Sequence, residues 1–164
     1  MSLRARVLAA CLFATACSEH YIPNTDVEDT EENRKLISFC EQYRKAVERR
    51  DVALLLKLVS TEYYEDGGNA DASDDMDYAQ FKEYLTGATA DETGTAFLDA
   101  LAIRHEIRYR RVVKENDRIF IDYTYSASYK IPTTGGEAWK RKVDDNRLEL
   151  VETAEGEYKI IAGM

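Results

Sequence analysis

The fold is decided by residues 103–131, which read IRHEIRYRRVVKENDRIFIDYTYSASYKI. Apolar and polar residues alternate along two runs, and the turn-forming residues Glu115-Asn116-Asp117 separate the runs. Successive side chains of a strand point to opposite faces, so a period of two predicts a pair of antiparallel strands with one buried face. The residues expected on that face are Ile103, His105, Ile107, Tyr109, Arg111 and Val113 in the first run, and Ile119, Ile121, Tyr123, Tyr125, Ala127, Tyr129 and Ile131 in the second.

Two more strands are predicted downstream of this pair. Residues 132–136 contain Pro132 and Gly136 and predict a turn, and a third long strand is expected over 138–152. The alternation of the third strand breaks around Val143-Asp144-Asp145, which we interpret as a β-bulge. After a second turn at 154–156, a short last strand is expected over 158–162. The sequence therefore predicts a four-stranded antiparallel meander.

The residues upstream of the sheet have helical periodicity. A first helix is expected from about Glu31 to Arg49 with Thr30 as N-cap, and its apolar stripe consists of Leu36, Cys40, Tyr43 and Val47. Asp51 is expected to cap a second helix and Asp77 a third over 78–85, with a short strand at 63–66 between them and another helix over 91–102. Helices followed by a curved antiparallel sheet indicate the α+β class.

The start of the chain has the three parts of a secretory signal. Arg4 and Arg6 precede an apolar run over 7–16, and Cys17 follows the run. Ten residues rise only about 15 Å as a helix, about half of a bilayer core, so the run is too short for a comfortable membrane span. The small residues before Cys17 resemble a bacterial lipobox. We therefore predict a lipoprotein signal peptide over 1–16 and lipidation of Cys17; the alternative is an ordinary signal cleaved near Ala16.

The segment after the lipidated cysteine is acidic and poor in apolar residues. We predict a solvated tether over 17–32 and a single domain over 33–164, because such a composition cannot bury enough surface to order itself. Ser18 after the cysteine favours the outer membrane, with the domain facing the periplasm or the cell surface. The net charge of −9 argues against nucleic acid as a partner, since phosphate contacts need clustered Lys and Arg.

Three segments carry a resemblance to the NTF2-like (SnoaL-like) superfamily of cone-shaped domains. Residues 43–55, YRKAVERRDVALL, resemble its first two helices and the tight turn between them, and residues 62–67, EYYEDG, resemble the short strand that follows. Residues 157–164, EYKIIAGM, resemble the terminal strand, with Tyr158 where the family often has tryptophan. The resemblance implies an NTF2-like cone, in which N-terminal helices pack on a curved antiparallel sheet.

The same resemblance leaves the activity open, because the superfamily contains isomerases, dehydratases, transport adaptors and binding modules. Compared with ketosteroid isomerase, Tyr43 stands at the position of the oxyanion tyrosine and Asp66 at that of the base. The third group, a protonated acid, has no clear counterpart: Asp144 and Asp145 lie in the right strand beside polar neighbours. Tyr43 is equally a residue of the helical stripe, and Asp66 is equally a turn former.

A pocket inside the predicted cone is the candidate site. We expect it to be lined by Tyr43, Tyr64, Asp66, His105, Tyr109, Tyr123 and Tyr125, because tyrosine hydroxyls suit a half-polar cavity better than a dry core. His105 has no second histidine or cysteine partner in the pattern, so we expect neither a metal nor another cofactor. The same sheet face has an alternative use as the contact between two copies of a homodimer.

We therefore expect a lipid-anchored envelope protein that binds a small amphipathic ligand or an envelope protein without catalysis. One alternative is a proton-transfer enzyme of the isomerase or dehydratase type that uses Asp66, Tyr43 and His105. A second alternative is a structural subunit of an envelope assembly. A water-accessible cavity that contains a carboxylate or a histidine with a perturbed pKa would favour the enzyme, and a cone filled by its own side chains would favour the structural subunit.

Overall fold

The computed structural model describes residues 20–67, 72–73, 75–87, 97–100 and 102–164. Three helices precede the main sheet: α1 (Glu31–Arg49), α2 (Val52–Leu58) and α3 (Tyr78–Leu85). The predicted N-caps are confirmed, since the side chains of Thr30, Asp51 and Asp77 each accept a hydrogen bond from a backbone N–H of the first turn. The helix expected over 91–102 falls largely outside the described residues. Within the described part, Phe97–Asp99 form a 3-10 turn.

The strands of the main sheet follow the predicted order, and the short strand expected at 63–66 is present with a partner strand that the sequence did not indicate. A two-stranded sheet pairs β1 (Tyr64–Glu65) with β2 (Met76–Asp77), and the main sheet contains β3 (Ala102–Glu115), β4 (Arg118–Thr133), β5 (Gly136–Glu152) and β6 (Tyr158–Ala162). The main sheet is an antiparallel meander in the order β3-β4-β5-β6. The α+β class and the four-stranded meander are therefore confirmed.

The core lies between the helices and one face of the main sheet, which is called the inner face below. Leu36 and Cys40 of α1 are fully buried, as are Ile121, Leu148 and Ile160 of the sheet. Cys40 is therefore a structural thiol, and burial raises its pKa far above the ordinary range. Within the described residues, no helix has both the length and the apolar character that a membrane crossing requires.

A β-bulge in β3 changes which of its residues reach the inner face. Tyr109 pairs with Tyr123, but the next pairs are Arg111 with Asp122 and Val112 with Ile121, so the register shifts by one residue. The prediction that Arg111 and Val113 share the face of Tyr109 is therefore wrong. Val112 packs against the core instead, while Arg111 forms an ion pair with Asp122.

The bulge predicted in β5 around Val143-Asp144-Asp145 is absent. Strands β4 and β5 pair without a register shift from Arg118 opposite Val151 to Thr133 opposite Gly136. The alternation of apolar and polar residues breaks for another reason. Residues 139–145 are exposed on both faces of β5, so neither face requires apolar side chains. The irregularity of β5 lies at Glu149/Leu150, where it pairs with β6.

The structure also differs from the expected tether. Residues 20–30 are folded onto β3: Tyr21 forms an antiparallel bridge with Glu28, and Val27 is buried. The backbone N–H of Asp26 donates to the carbonyl of Tyr109 at 2.9 Å, beside the bulge. Composition misses this contact because it depends on arginines more than 80 residues away: Arg108 and Arg110 form ion pairs with Asp26. The segment thus covers an edge strand of the sheet.

Candidate functional site

A cavity of about 300 Å³ lies between the helices and the inner face of the main sheet. The sheet supplies one wall because β3 and β4 present alternate residues to this face, and α1, α2 and α3 supply the opposite wall. The lining is mostly aromatic and aliphatic. Its members are Tyr43, Val47, Leu55, Phe81, Tyr84, Leu85, Phe97, Ala100, Ile103, His105, Tyr123, Tyr125, Ala127, Tyr129, Asn146 and Met164.

Four of the seven predicted pocket residues line this cavity. Tyr43 comes from α1, His105 from β3, and Tyr123 and Tyr125 from β4. The rings of Tyr43 and Tyr125 each meet the ring of His105 edge-on, with centroids 5.9 Å apart. The helical stripe and the two-residue period of the strands are sufficient to bring these four side chains together.

The other three predicted residues are not part of the cavity wall. Tyr109 is buried on the inner face, but its hydroxyl donates to Glu41 Oε1 at 3.0 Å and fixes β3 to α1. Tyr64 is half exposed and donates its hydroxyl to Asp75 on the surface. Asp66 lies with Tyr64 in a separate surface groove near the end of β6.

The position of Asp66 bears directly on the enzyme hypothesis. Asp66 follows β1, and β1 pairs with β2 away from the wall that β3 and β4 form. Among the described residues, no Asp or Glu lines the cavity. The carboxylate that the comparison with ketosteroid isomerase suggested is therefore outside the cavity, and the described lining has no substitute for it.

His105 is the most polar buried group of the wall. Its backbone N–H donates to Glu48 Oε1 at 3.1 Å, and its carbonyl oxygen accepts from Arg44 Nη1 at 3.1 Å. The ring Nδ1 is buried and has no hydrogen-bond partner. Burial lowers the pKa of His105 to about 4 against the weaker opposing effect of Glu48, so the imidazole is neutral at pH 7. It is a weak base but remains a hydrogen-bonding group.

The tyrosines of the wall stay protonated. Burial raises the pKa of Tyr43 and that of Tyr123 well above the ordinary value, so both keep their hydroxyl protons at neutral pH. The hydroxyl of Tyr123 donates to the carbonyl oxygen of Gly163 at 3.1 Å, and Asn146 Nδ2 donates to the same oxygen at 3.2 Å. These two bonds hold the chain around Gly163, and with it Met164, against the cavity.

Several lining residues were missed by the sequence reasoning. Phe81 and Leu85 stand four residues apart on α3, a spacing that could have indicated an inward face. Asn146 precedes Leu148 and Leu150 in the two-residue period of β5, so the sequence indicates a polar residue at an inner position. No sequence pattern indicates that Met164 lines the cavity, because only the packing of the last residues against Tyr123 and Asn146 places Met164 at the wall.

The described residues contain no group of three or more His, Cys, Asp or Glu side chains placed to hold a metal ion. The polar atoms of the wall belong to tyrosines, one histidine and one asparagine, which are scattered among apolar side chains. The wall is thus suited to hydrogen bonds with an organic molecule.

No protein-family model and no curated protein sequence matches the chain. Solved structures do match it. A protein from Kribbella flavida has a TM-score of 0.63 at 18% identity, over 82% of this chain and 90% of that chain. An NTF2-like superfamily protein from Salmonella enterica has a TM-score of 0.61 at 5% identity, over 79% and 86%. A ketosteroid isomerase-like protein from Erwinia carotovora atroseptica has a TM-score of 0.60 at 12% identity, over 82% and 95%.

These similarities confirm the predicted NTF2-like cone. Identities of this size establish the fold alone, because one fold carries many unrelated functions. The chemistry of this chain must therefore be argued from its own cavity.

Proposed function

We propose that this chain is a lipid-anchored protein of the bacterial cell envelope whose cone domain binds a small amphipathic molecule without transforming it. The cavity is the observation that carries the proposal. Its volume of about 300 Å³ is at the lower end of the range for small-molecule sites, and its walls are apolar with a few polar groups.

The lining supports an amphipathic rather than a purely polar ligand. Aromatic and aliphatic side chains from three helices and from strands β3 and β4 face the cavity, so removal of an apolar tail from water would drive binding at about 25 cal/mol per Å². His105, Tyr125 and Tyr129 supply polar groups on the sheet side. A molecule with an apolar body and a polar end satisfies both kinds of surface.

The electrostatics support binding rather than proton transfer. A general base is most effective when its pKa lies near the working pH, whereas burial lowers the pKa of His105 to about 4. Asp66, the other candidate base, lies in the separate groove near β6. Tyr43 can donate a hydrogen bond, but a donor alone orients a ligand without abstracting a proton from it.

The anchoring part of the proposal depends on the sequence of the first 17 residues. The charged start, the ten-residue apolar run and the small residues before Cys17 together favour a lipoprotein signal. Two or more acyl chains on that cysteine would give a stable anchor, where one chain is marginal.

The test is a titration of the full chain with 1-octanol, a neutral amphiphile, by calorimetry. We expect Ala127→Phe, which fills the cavity from β4, to weaken binding about tenfold or more. The matched control is Ser128→Phe, because Ser128 is the next residue of the same strand and faces the other side of the sheet. The control should bind octanol within about twofold of the unmodified chain.

Two results would overturn the proposal. One is the absence of octanol binding up to its solubility limit. The other is equal binding by Ala127→Phe and the unmodified chain, since the ligand would then occupy another surface. Native mass spectrometry of the purified chain is the complementary measurement, because a co-purifying small mass that Ala127→Phe lacks would identify the natural ligand.

A further inference from the structure

The inner face of the main sheet changes from apolar to charged along β5. Opposite residues of an antiparallel pair lie on the same face, with Cβ atoms about 4.5–5.5 Å apart. The cavity wall of β4 is therefore bordered by a second row of side chains, which we call the β5 row. The pairs are Tyr123 with Asn146, Tyr125 with Asp144, Ala127 with Lys142, and Tyr129 with Lys140.

The two lysines of the β5 row stand beside the cavity and in solvent. Ala127 and Tyr129, their partners on β4, line the cavity, whereas Lys140 and Lys142 are exposed. A lysine side chain has a flexible four-carbon stem that lies along apolar surface while its ammonium stays in water. Either ammonium can therefore reach a polar group at the edge of the β4 wall.

The charge of this row is opposite to that of the chain. Lys142 Nζ lies 4.0 Å from a carboxylate oxygen of Asp144, at the limit of an ion pair, and both side chains are more than half exposed. Lys140 forms no ion pair with any described residue. The row thus carries one cation in excess in a chain whose net charge is −9. An uncompensated ammonium at the edge of the cavity would attract an anionic group of a bound molecule.

We infer that the ligand is a single-chain amphiphile with a carboxylate head, whose tail lies among the aromatic side chains of the cavity and whose head meets Lys140 and Lys142. This inference rests on the proposed function and adds the class of ligand. The cavity has the volume of about ten water molecules, which is too small for the two acyl chains of a phospholipid. A free carboxylate of moderate chain length fits this volume.

The test compares three probes that share one tail and differ in the head: octanoate, 1-octanol and octylammonium, each titrated into the full chain at physiological salt. Octanoate should bind about tenfold more tightly than octylammonium, with octanol between them, because opposite charges attract and like charges repel across a few ångströms. Raising the salt concentration should lower the affinity for octanoate and leave the affinity for octanol unchanged, since salt screens the interaction between partly exposed charges.

Substitutions test whether the β5 row causes the preference for octanoate. The double variant Lys140→Gln with Lys142→Gln should lower the affinity for octanoate about fivefold to tenfold and leave the affinity for octanol within about twofold of that of the unmodified chain. The matched control is Arg141→Gln, which removes one positive charge from the same strand on the opposite face of the sheet, where its side chain donates to Ser126. A second variant, Asp144→Asn, removes the competing carboxylate and should strengthen octanoate.

The outcomes separate this inference from the proposed function. Equal affinity for octanoate and octanol, or full octanoate affinity in the double lysine variant, would overturn the carboxylate inference and leave the binding cavity intact. A preference for octylammonium would also overturn it and would assign head recognition to Asp144. Failure of all three probes to bind the unmodified chain would overturn the proposed function itself.

Discussion

Gly163 stands where the backbone of β5 leaves no room for a side chain, so Gly163→Ala should be severely destabilising. The φ angle of Gly163 is +85°, in the left-handed region that favours glycine. A Cβ atom built on it would lie 1.7 Å from the carbonyl oxygen of Arg147 and 2.7 Å from its carbonyl carbon. Both are backbone atoms of a paired strand, so the segment that contains Gly163 must move away from the sheet.

The expected loss in the free energy of unfolding follows from the hydrogen bonds that this movement breaks. The carbonyl oxygen of Gly163 accepts bonds from Tyr123 and Asn146, and its N–H donates to Glu65. Three bonds at about 1 kcal/mol each, with about 1 kcal/mol more for alanine in the left-handed region, give a loss of about 4 kcal/mol. Met164 would leave the cavity with the same segment.

Urea unfolding of the full chain measures the loss of stability, and Gly87→Ala is the matched control. Gly87 has a φ angle of +81°, close to that of Gly163, but a Cβ atom there would meet nothing within 4 Å. The control should therefore cost only about 1 kcal/mol, the part due to backbone conformation. If the two variants differ by less than about 1 kcal/mol, the contact with Arg147 is not what requires glycine, and the reasoning fails.

Three further predictions concern pH and localisation. The buried ring of His105 has a pKa of about 4 against an ordinary 6.5, so acidification from 6.5 towards 4 should lower stability, and His105→Phe should reduce that loss in urea midpoints. Hydrogen bonds from Arg108 and Arg110 lower the pKa of Asp26 from 3.8 to about 2. The ionised Asp26 therefore stabilises the fold fully above pH 3.8, and this contribution is lost as the pH falls through about 2. The thermal midpoint of Asp26→Asn should thus approach that of the unmodified chain as the pH falls to about 2. Cys17→Ser should release the chain from membranes, and palmitate labelling that persists in this variant would contradict lipidation.

The elements that depend on local sequence were predictable. Thr30, Asp51 and Asp77 cap helices through bonds that span three residues, and the hairpin at Asn116 needs only a short polar turn between alternating runs. Local signals of this kind do not depend on the rest of the fold, so the helix starts and the order of strands could be read in advance.

The features that depend on distant partners were not predictable. Nothing in the acidic segment around Asp26 shows that two arginines of β3 will bind it, and the bulge that flips Arg111 away from the core leaves no clear mark in the sequence. The candidate site divides in the same way. Periodicity placed Tyr43 and His105 in the wall, whereas analogy with a catalytic pattern placed Asp66 there, and the pairing of β1 with β2 puts it elsewhere.

The folded segment over 20–30 has a consequence for the proposed lipid anchor, because it shortens the chain between Cys17 and the domain. If Cys17 carries the acyl chains, only three peptide steps separate it from His20, and an extended chain spans at most about 10 Å over that distance. A solvated tether as far as residue 32 would have allowed the domain to sample a much larger volume. With such an anchor, the short connection would keep the domain close to the headgroups, where an amphiphile that leaves the bilayer would need to cross very little water to reach it.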